Sequence, residues 1–281
     1  MKLKGLRRSR NIEDRRRSGG GGRGAGIGGV GLIVVLAIGY FAGIDVTPLL
    51  QGMQGGAVQP AQPRSLSVEE ERAAEFSARV LATTEEVWSD LMPGQAGQAY
   101  TPPVMVLYSG ITQSPCGGAS GATGPFYCPA DRKAYLDTEF FATLEQRLGA
   151  RGDFAAAYVI AHEVAHHVQN ELGILGQVNQ ARASSSEREA NALTVRLELQ
   201  ADCLSGVWAQ AVDGLLEPGD IDEALNAARQ IGDDRLQRQV GRVPQPHTFT
   251  HGTSDQRARW FARGYEQGQM GACDTFGAER L

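Results

Sequence analysis

The sequence predicts an α+β fold, mainly helical with a small sheet, behind one N-terminal membrane-spanning helix. Three observations carry this. Residues 67–91, 153–173 and 184–212 repeat apolar side chains at helical spacing. Two short runs, "PPVMVLYSG" at 102–110 and "RKAYLD" at 132–137, have the composition and punctuation of strands. Residues 24–44 contain no charged side chain at all.

At 281 residues, 42% hydrophobic and 21% charged, the composition is that of a globular protein, long enough for one large domain or two small ones. The charge is unevenly spread. Residues 1–23 hold nine Lys or Arg against Glu13 and Asp14, a net of +7, while the rest holds 18 basic and 30 acidic residues, a net of −12. An acidic body repels phosphates, so a nucleic-acid partner is not expected.

Residues 24–44 are long enough, at roughly 31 Å as a helix, to cross one bilayer core. The arginines before this stretch and Asp45 after it place residues 1–23 in the cytoplasm as a basic tail and everything after residue 45 outside. The expectation is therefore a single-pass inner-membrane protein with an extracytoplasmic domain. A cleaved signal peptide is the rival, but no clean A-x-A site follows the apolar run. Arg7-Arg8 lacks the apolar residues that follow a twin-arginine signal. Gly39 and Gly43 have the GxxxG spacing through which two such helices could pair into a dimer. Residues 45–64, rich in Gln, Gly and Pro, read as a linker.

The soluble domain is placed at 65–281. It opens on a capping box, Ser67 with Glu70, and Phe76, Val80, Val87, Trp88 and Leu91 continue at helical spacing. The strand at 102–110 and a Gly-rich loop follow. After the strand at 132–137, "TEFFATLEQRLG" suggests a helix ending at Gly149. Further on, "PGDIDEALNAARQIGDDRLQRQ" reads as one helix capped by Asp220, and "SDQRARWFARGYEQG" as another with Trp260 and Phe261 turned to the core. The many Arg and Asp of these two read as solvated faces.

Four cysteines in an oxidising compartment imply two disulfides, with three possible pairings. Cys116 with Cys128 would close the Gly-rich loop, worth ~3 kcal/mol in the chain-entropy reckoning. That leaves Cys203 with Cys273. A cysteine zinc site is not expected, because no C-x-x-C occurs.

The chemistry concentrates in "AHEVAHHVQN" at 161–170. With Asp153 as N-cap, 153–173 reads as a helix, and His162 and His166, four residues apart, share a face from which both imidazoles reach one cation. Glu163 then faces a water beside the metal. His167 is turned about 100° away and cannot join. Taken alone, such histidines could equally be satisfied core residues, so a third ligand decides.

A metzincin would need a histidine at 172, where Leu stands. "HGTSD" offers Asp255, with the spacing one residue short of a GTxxD pattern. A second helix offers more. Ser186 and Glu189 form a capping box, the helix continues to Gly206, and Glu198 and Asp202 share a face at i and i+4. Glu198 would bind the metal, and Asp202 would accept the free N–H of a ligand histidine, His162, from behind.

At these residues the chain resembles the bacterial neutral zinc metallopeptidase family, membrane-anchored proteins related to the gluzincins. The likeness runs over about 65–275 through "CPADRKAYLDTEFF", "AHEVAHHVQ", "RLELQADCLSGVWA" and "THGTSDQRARWFARGY". It implies a zincin-like, minimal gluzincin-type domain holding one Zn2+ with His162, His166 and Glu198 as ligands and Glu163 as catalytic base.

The expected function is a membrane-anchored endopeptidase that hydrolyses a peptide or protein substrate with metal-activated water. His251, in the loop "PHTFTHGTS", is the candidate to stabilise the oxyanion, with Tyr265 and Arg257 behind it; a capping role is the bland alternative, and His247 has a weaker claim. Substrate could pair along the strand near Tyr135 if it forms a sheet edge. The rival function is a non-catalytic, membrane-tethered binding or assembly protein that keeps a zinc site. Such a scaffold needs ligands but no base, and Glu163 is present.

Overall fold

A computed structural model describes residues 1–17, 65–120, 124–146, 149–150 and 152–281. The membrane-spanning stretch 24–44, the pair Gly39 and Gly43, and the linker 45–64 lie outside the described residues. Among the described residues, no helix is long and apolar enough to cross a membrane.

The architecture is α+β and mostly helical, as the sequence predicts. Strand β1 (Ile12–Asp14) precedes the long helix α1 (Val68–Leu91). Five strands follow: β2 (Val104–Tyr108), β3 (Ile111–Ser114), β4 (Gly117–Ser120), β5 (Phe126–Cys128) and β6 (Lys133–Asp137). Then come α2 (Phe140–Gln146), α3 (Asp153–Glu171), α4 (Ile174–Ala183), α5 (Glu187–Ala211), α6 (Asp220–Gln230), α7 (Asp233–Gln239) and α8 (Ser254–Gln267).

The helix ends show why these stretches form. Both predicted capping boxes are present, Ser67 with Glu70 and Ser186 with Glu189, and Thr253 with Gln256 supplies a third. Two predicted caps shift by one residue, because Gly152 and Gly219 occupy the cap positions and put Asp153 and Asp220 inside the first turn. The single helix expected from 220 to 239 is two. It breaks at Ile231 and Gly232, where the backbone of Ser254 comes so close to Gly232 that a β-carbon would collide with it.

The main sheet has the order β1-β2-β6-β5, with β1, β2 and β6 parallel and β5 antiparallel to β6. Tyr135 therefore lies on an internal strand, which corrects the expectation that substrate could pair there: its backbone groups already serve β2 and β5. Strands β3 and β4 form a separate hairpin within the Gly-rich region.

Helix α3 is buried along nearly its whole length, and its small residues Ala155, Ala157, Ala161 and Ala165 admit close neighbours. Helices α5 and α8 pack most tightly where Gly206 meets the backbone of Phe261 and Gly264 meets that of Cys203; neither site has room for a side chain. Trp88, Trp208 and Trp260 fill the space between helices, with Trp208 stacked on Phe154. Both disulfides pair as read, Cys116 with Cys128 and Cys203 with Cys273.

The basic tail is not a solvated arm. Residues 1–17 pack on the domain: β1 aligns Glu13 with Val106, and Met1 and Leu3 are buried in the main core. Arg7 and Arg8 pair with Glu85 and Glu75 of α1, and Arg16 is buried against the carbonyl of Glu70.

Candidate metal centre

Three side chains from two helices converge at the floor of a cleft of about 520 Å³. His162 and His166 come from α3 and Glu198 from α5. His162 Nε2 lies 3.1 Å from Glu198 Oε2, and His166 Nε2 lies 3.4 Å from Glu198 Oε1. Donor atoms of these three residues lie within 4.8 Å of one another. A tetrahedral cation with arms of about 2.0–2.1 Å has ligand-to-ligand edges of about 3.3 Å, so the separations fit zinc.

Each imidazole is held from behind. His166 Nδ1 pairs with Gln169 Oε1 at 2.8 Å, and the Gln169 amide in turn donates to Leu197 O and Gln200 Oε1. His162 Nδ1 lies 2.9 Å from Asp202 Oδ1, although the contact is bent away from a straight hydrogen bond. Both rings thus turn Nε2 toward Glu198, the orientation a metal ligand requires.

Asp202 is fully buried and sits at the centre of its own network. Tyr158 donates its hydroxyl at 2.5 Å, and Arg257 donates Nε to one oxygen and Nη2 to the other, both at 2.8 Å. Burial alone would raise the carboxyl, but Arg257 and His162 hold it at about 2. Glu198 is only partly buried, and the two imidazoles hold it well below the usual carboxylate range. Glu163 is pushed up, chiefly by burial and only partly opposed by His166 and His162. Burial lowers His162, but Asp202 and Glu198 outweigh it and carry the imidazole to about 10. The carboxylates of Asp202 and Glu198 thus favour positive charge on the His162 side of the cleft.

Glu163 lines the same cleft, as do Phe126 and Tyr127 of β5, an edge strand of the main sheet. His251 also reaches the cleft, half-exposed, with Nδ1 3.2 Å from Asp233 Oδ1. The other Asp233 oxygen accepts the backbone N–H groups of Thr250, His251 and Gly252 at 2.7, 2.6 and 3.0 Å, which fixes the loop.

The remaining candidates separate cleanly. His167 faces away, bonded to Tyr127 Oη and Thr101 O. Asp255 lies in the first turn of α8 and is not part of the metal-ligating group, so the option it represented is not taken up. Tyr265 donates to Asp213 and does not line the cleft, which corrects its placement behind His251. His247 does not line the cleft either. Arg257 lies behind Asp202, not on a solvated face, and is only 2% exposed. Sequence reasoning set Arg257 behind His251 and not on Asp202, which the structure corrects, and it missed the Gln169 brace and Asp233. Only Gln169, one turn beyond His166, carries a local signal.

The chain matches the family described as "Putative neutral zinc metallopeptidase" over residues 1–276. It is 47% identical over 288 residues to "Uncharacterized protein YpfJ" of Escherichia coli (strain K12), covering 99% of each chain. It is also 47% identical over 219 residues to "Uncharacterized protein Rv2575" of Mycobacterium tuberculosis (strain ATCC 25618 / H37Rv), covering 72% of this chain and 71% of the relative. No solved structure matches the chain significantly.

Proposed function

We propose, for a chain that belongs to the neutral zinc metallopeptidase family, that it is a zinc-dependent endopeptidase with His162, His166 and Glu198 as metal ligands and Glu163 as general base. The observation that carries this is the meeting of both Nε2 atoms with the Glu198 carboxylate at tetrahedral spacing, in a cleft that Glu163 also lines. Ligands on two packed helices, with an aspartate behind the first histidine, support a zincin-like, gluzincin-type domain. One zinc ion in this position would polarise the peptide carbonyl and acidify a water.

The protein's own groups have distinct tasks. Glu163 takes a proton from the attacking water and passes it to the departing amine nitrogen, and its raised proton affinity suits both transfers. Asp202, fixed as a carboxylate by Arg257, keeps the His162 ring turned with Nε2 forward. His251, which lines the cleft and is steadied by Asp233, is the group we assign to donate a hydrogen bond to the oxygen that gains charge. Among the described residues β5 is an edge strand, and an extended peptide could lie along it. Two disulfides support an extracytoplasmic domain, and the apolar stretch 24–44 supports attachment to a membrane.

The test compares the full chain with Glu163→Gln. Both should hold one zinc per chain by metal analysis, and only the former should cleave a peptide library, in a chelator-sensitive manner. Cleavage by the variant at the parental rate would reject the assignment of the base. Zinc-free protein from both would reject the site, and turnover-independent activity in cells would favour the tethered scaffold.

A further inference from the structure

One buried histidine has no task in the proposed hydrolysis. His167 is fully buried on α3, and both of its ring nitrogens are engaged. Nε2 lies 2.6 Å from Thr101 O, and Nδ1 lies 2.9 Å from Tyr127 Oη. A carbonyl oxygen only accepts, so Nε2 carries the hydrogen, and in the neutral ring Nδ1 is left to accept the Tyr127 hydroxyl. Asn170 Nδ2 donates to the same hydroxyl at 3.2 Å. Each group in this row of hydrogen bonds has one role, so the ring of His167 and the hydroxyl of Tyr127 fix one another. An apolar side chain would fill the space without taking two polar atoms out of water, a cost that only these bonds offset.

Tyr127 is the middle residue of β5. Side chains alternate along a strand, so it leaves on the face opposite Phe126 and Cys128. Phe126 stacks on Tyr135 across the β5-β6 pair with ring centroids 4.8 Å apart, whereas Tyr127 meets the His167 ring edge-on at 5.4 Å. Tyr127 thus joins β5 to α3, and the place of the joint matters. Glu163, His167 and Asn170 follow one another at i, i+4 and i+7, a single stripe of the helix. The strand is therefore fastened one turn beyond the proposed base, on the face that carries it, and Tyr127 and Glu163 line the same cleft.

We propose that His167 is a positioning residue that, through the Tyr127 hydroxyl, holds the edge strand β5 docked beside Glu163, ready to receive an extended peptide substrate. This rests on the peptidase reading. His167 touches neither the metal nor the substrate in this role. A strand released from His167 must be ordered again each time substrate binds, and that cost falls equally on the bound substrate and on its transition state. Loss of the tie should therefore raise KM and leave kcat near its parental value.

The experiment compares the full chain with Tyr127→Phe, His167→Leu and His167→Gln, the last of which keeps one donor and one acceptor. Metal analysis, hydrogen exchange of residues 124–128 by mass spectrometry, and kinetics on a fluorogenic peptide that the parent cleaves are read together. All four proteins should hold zinc. Tyr127→Phe and His167→Leu should speed exchange in β5 and raise KM, each about tenfold, with His167→Gln closer to the parent. The double variant Tyr127→Phe, His167→Leu should be little worse than either single change, because both break the same tie. Zinc loss in Tyr127→Phe or His167→Leu, additive effects in the double variant, unchanged exchange, or a fall in kcat at constant KM would each overturn the proposal. A parent that holds no zinc and cleaves nothing fails at the peptidase reading itself and takes the substrate role of β5 with it. A parent that cleaves, with variants that match it, removes the positioning role alone.

Discussion

Arg257 grips Asp202 with two parallel hydrogen bonds of 2.8 Å, in a place where neither side chain meets solvent. The pair matters because the same carboxylate stands behind His162. Removing one member of a buried pair leaves the other charged and uncompensated, which costs about 3–5 kcal/mol. Arg257→Ala should therefore lower the melting temperature strongly. Arg257→Lys keeps the charge but loses the fork, and should fold while binding zinc more weakly. Asp202→Asn should weaken zinc about 10–100-fold, as loss of a group behind a ligand histidine does. Competition with a graded series of chelators reads these affinities, and unchanged affinity in Asp202→Asn would mean that the carboxylate does not orient His162.

Glu198 and Glu163 share the cleft but should fail differently. Glu198→Gln keeps the shape of a ligand while removing its charge, so metal content should drop. Glu163→Gln should keep the metal and lose about 10²–10⁴ in kcat, the usual share of a positioned base. Metal content and kcat measured side by side separate the two roles. Equal metal loss in both variants would make Glu163 a ligand and not a base.

The signals that are local in sequence were legible, and those that depend on folding were not. The four-residue step from His162 to His166 and from Glu198 to Asp202 is helix geometry, so the partners on each helix could be read directly. Capping boxes at Ser67 and Ser186 marked two helix starts for the same reason. The partner of Arg257, by contrast, was not legible, since the sequence set it behind His251; only the close crossing of α5 and α8, allowed by Gly206 and Gly264, buries it against Asp202. The docking of residues 1–17 was illegible because its partners lie at Glu85, Asp153 and Glu217, far along the chain, and a cluster of arginines usually remains in water.

Asp137 gives stability a pH dependence. Its side chain is wholly buried, and burial raises it from 3.8 to about 6, even though the N–H groups of Glu139 and Gly110 bond to it. An acid that holds its proton more tightly when folded destabilises the fold at high pH. The penalty is absent below the unfolded value of 3.8, grows as pH rises, and is complete above about 6. Asp137→Asn removes the charge, so it should stabilise the domain at pH 8 by up to ~3 kcal/mol, at ~1.4 kcal/mol for each factor of ten in proton affinity, and by little at pH 4. Denaturant unfolding at the two pH values measures this. A variant that is less stable at pH 8 would show that the two backbone hydrogen bonds, and not desolvation, dominate at this site.

The disulfide between Cys203 and Cys273 couples the C-terminal segment to the candidate metal centre, because Cys203 directly follows Asp202 on α5. It closes a loop with a sequence separation of 70, for which chain entropy predicts ~4 kcal/mol, against ~3 kcal/mol for the separation of 12 between Cys116 and Cys128. The larger loss should also act at the site. Without the bridge, Gln200 loses a fixed partner, since it donates to Cys273 O, and Gln200 in turn receives the amide of Gln169 that braces His166. Replacing Cys203 and Cys273 together with Ala should therefore lower the melting temperature more than the matching change at Cys116 and Cys128, and should also weaken zinc. The Cys116 and Cys128 change should leave zinc affinity near its parental value. If both double variants lose metal equally, the C-terminal tie is not what steadies the His166 side of the centre.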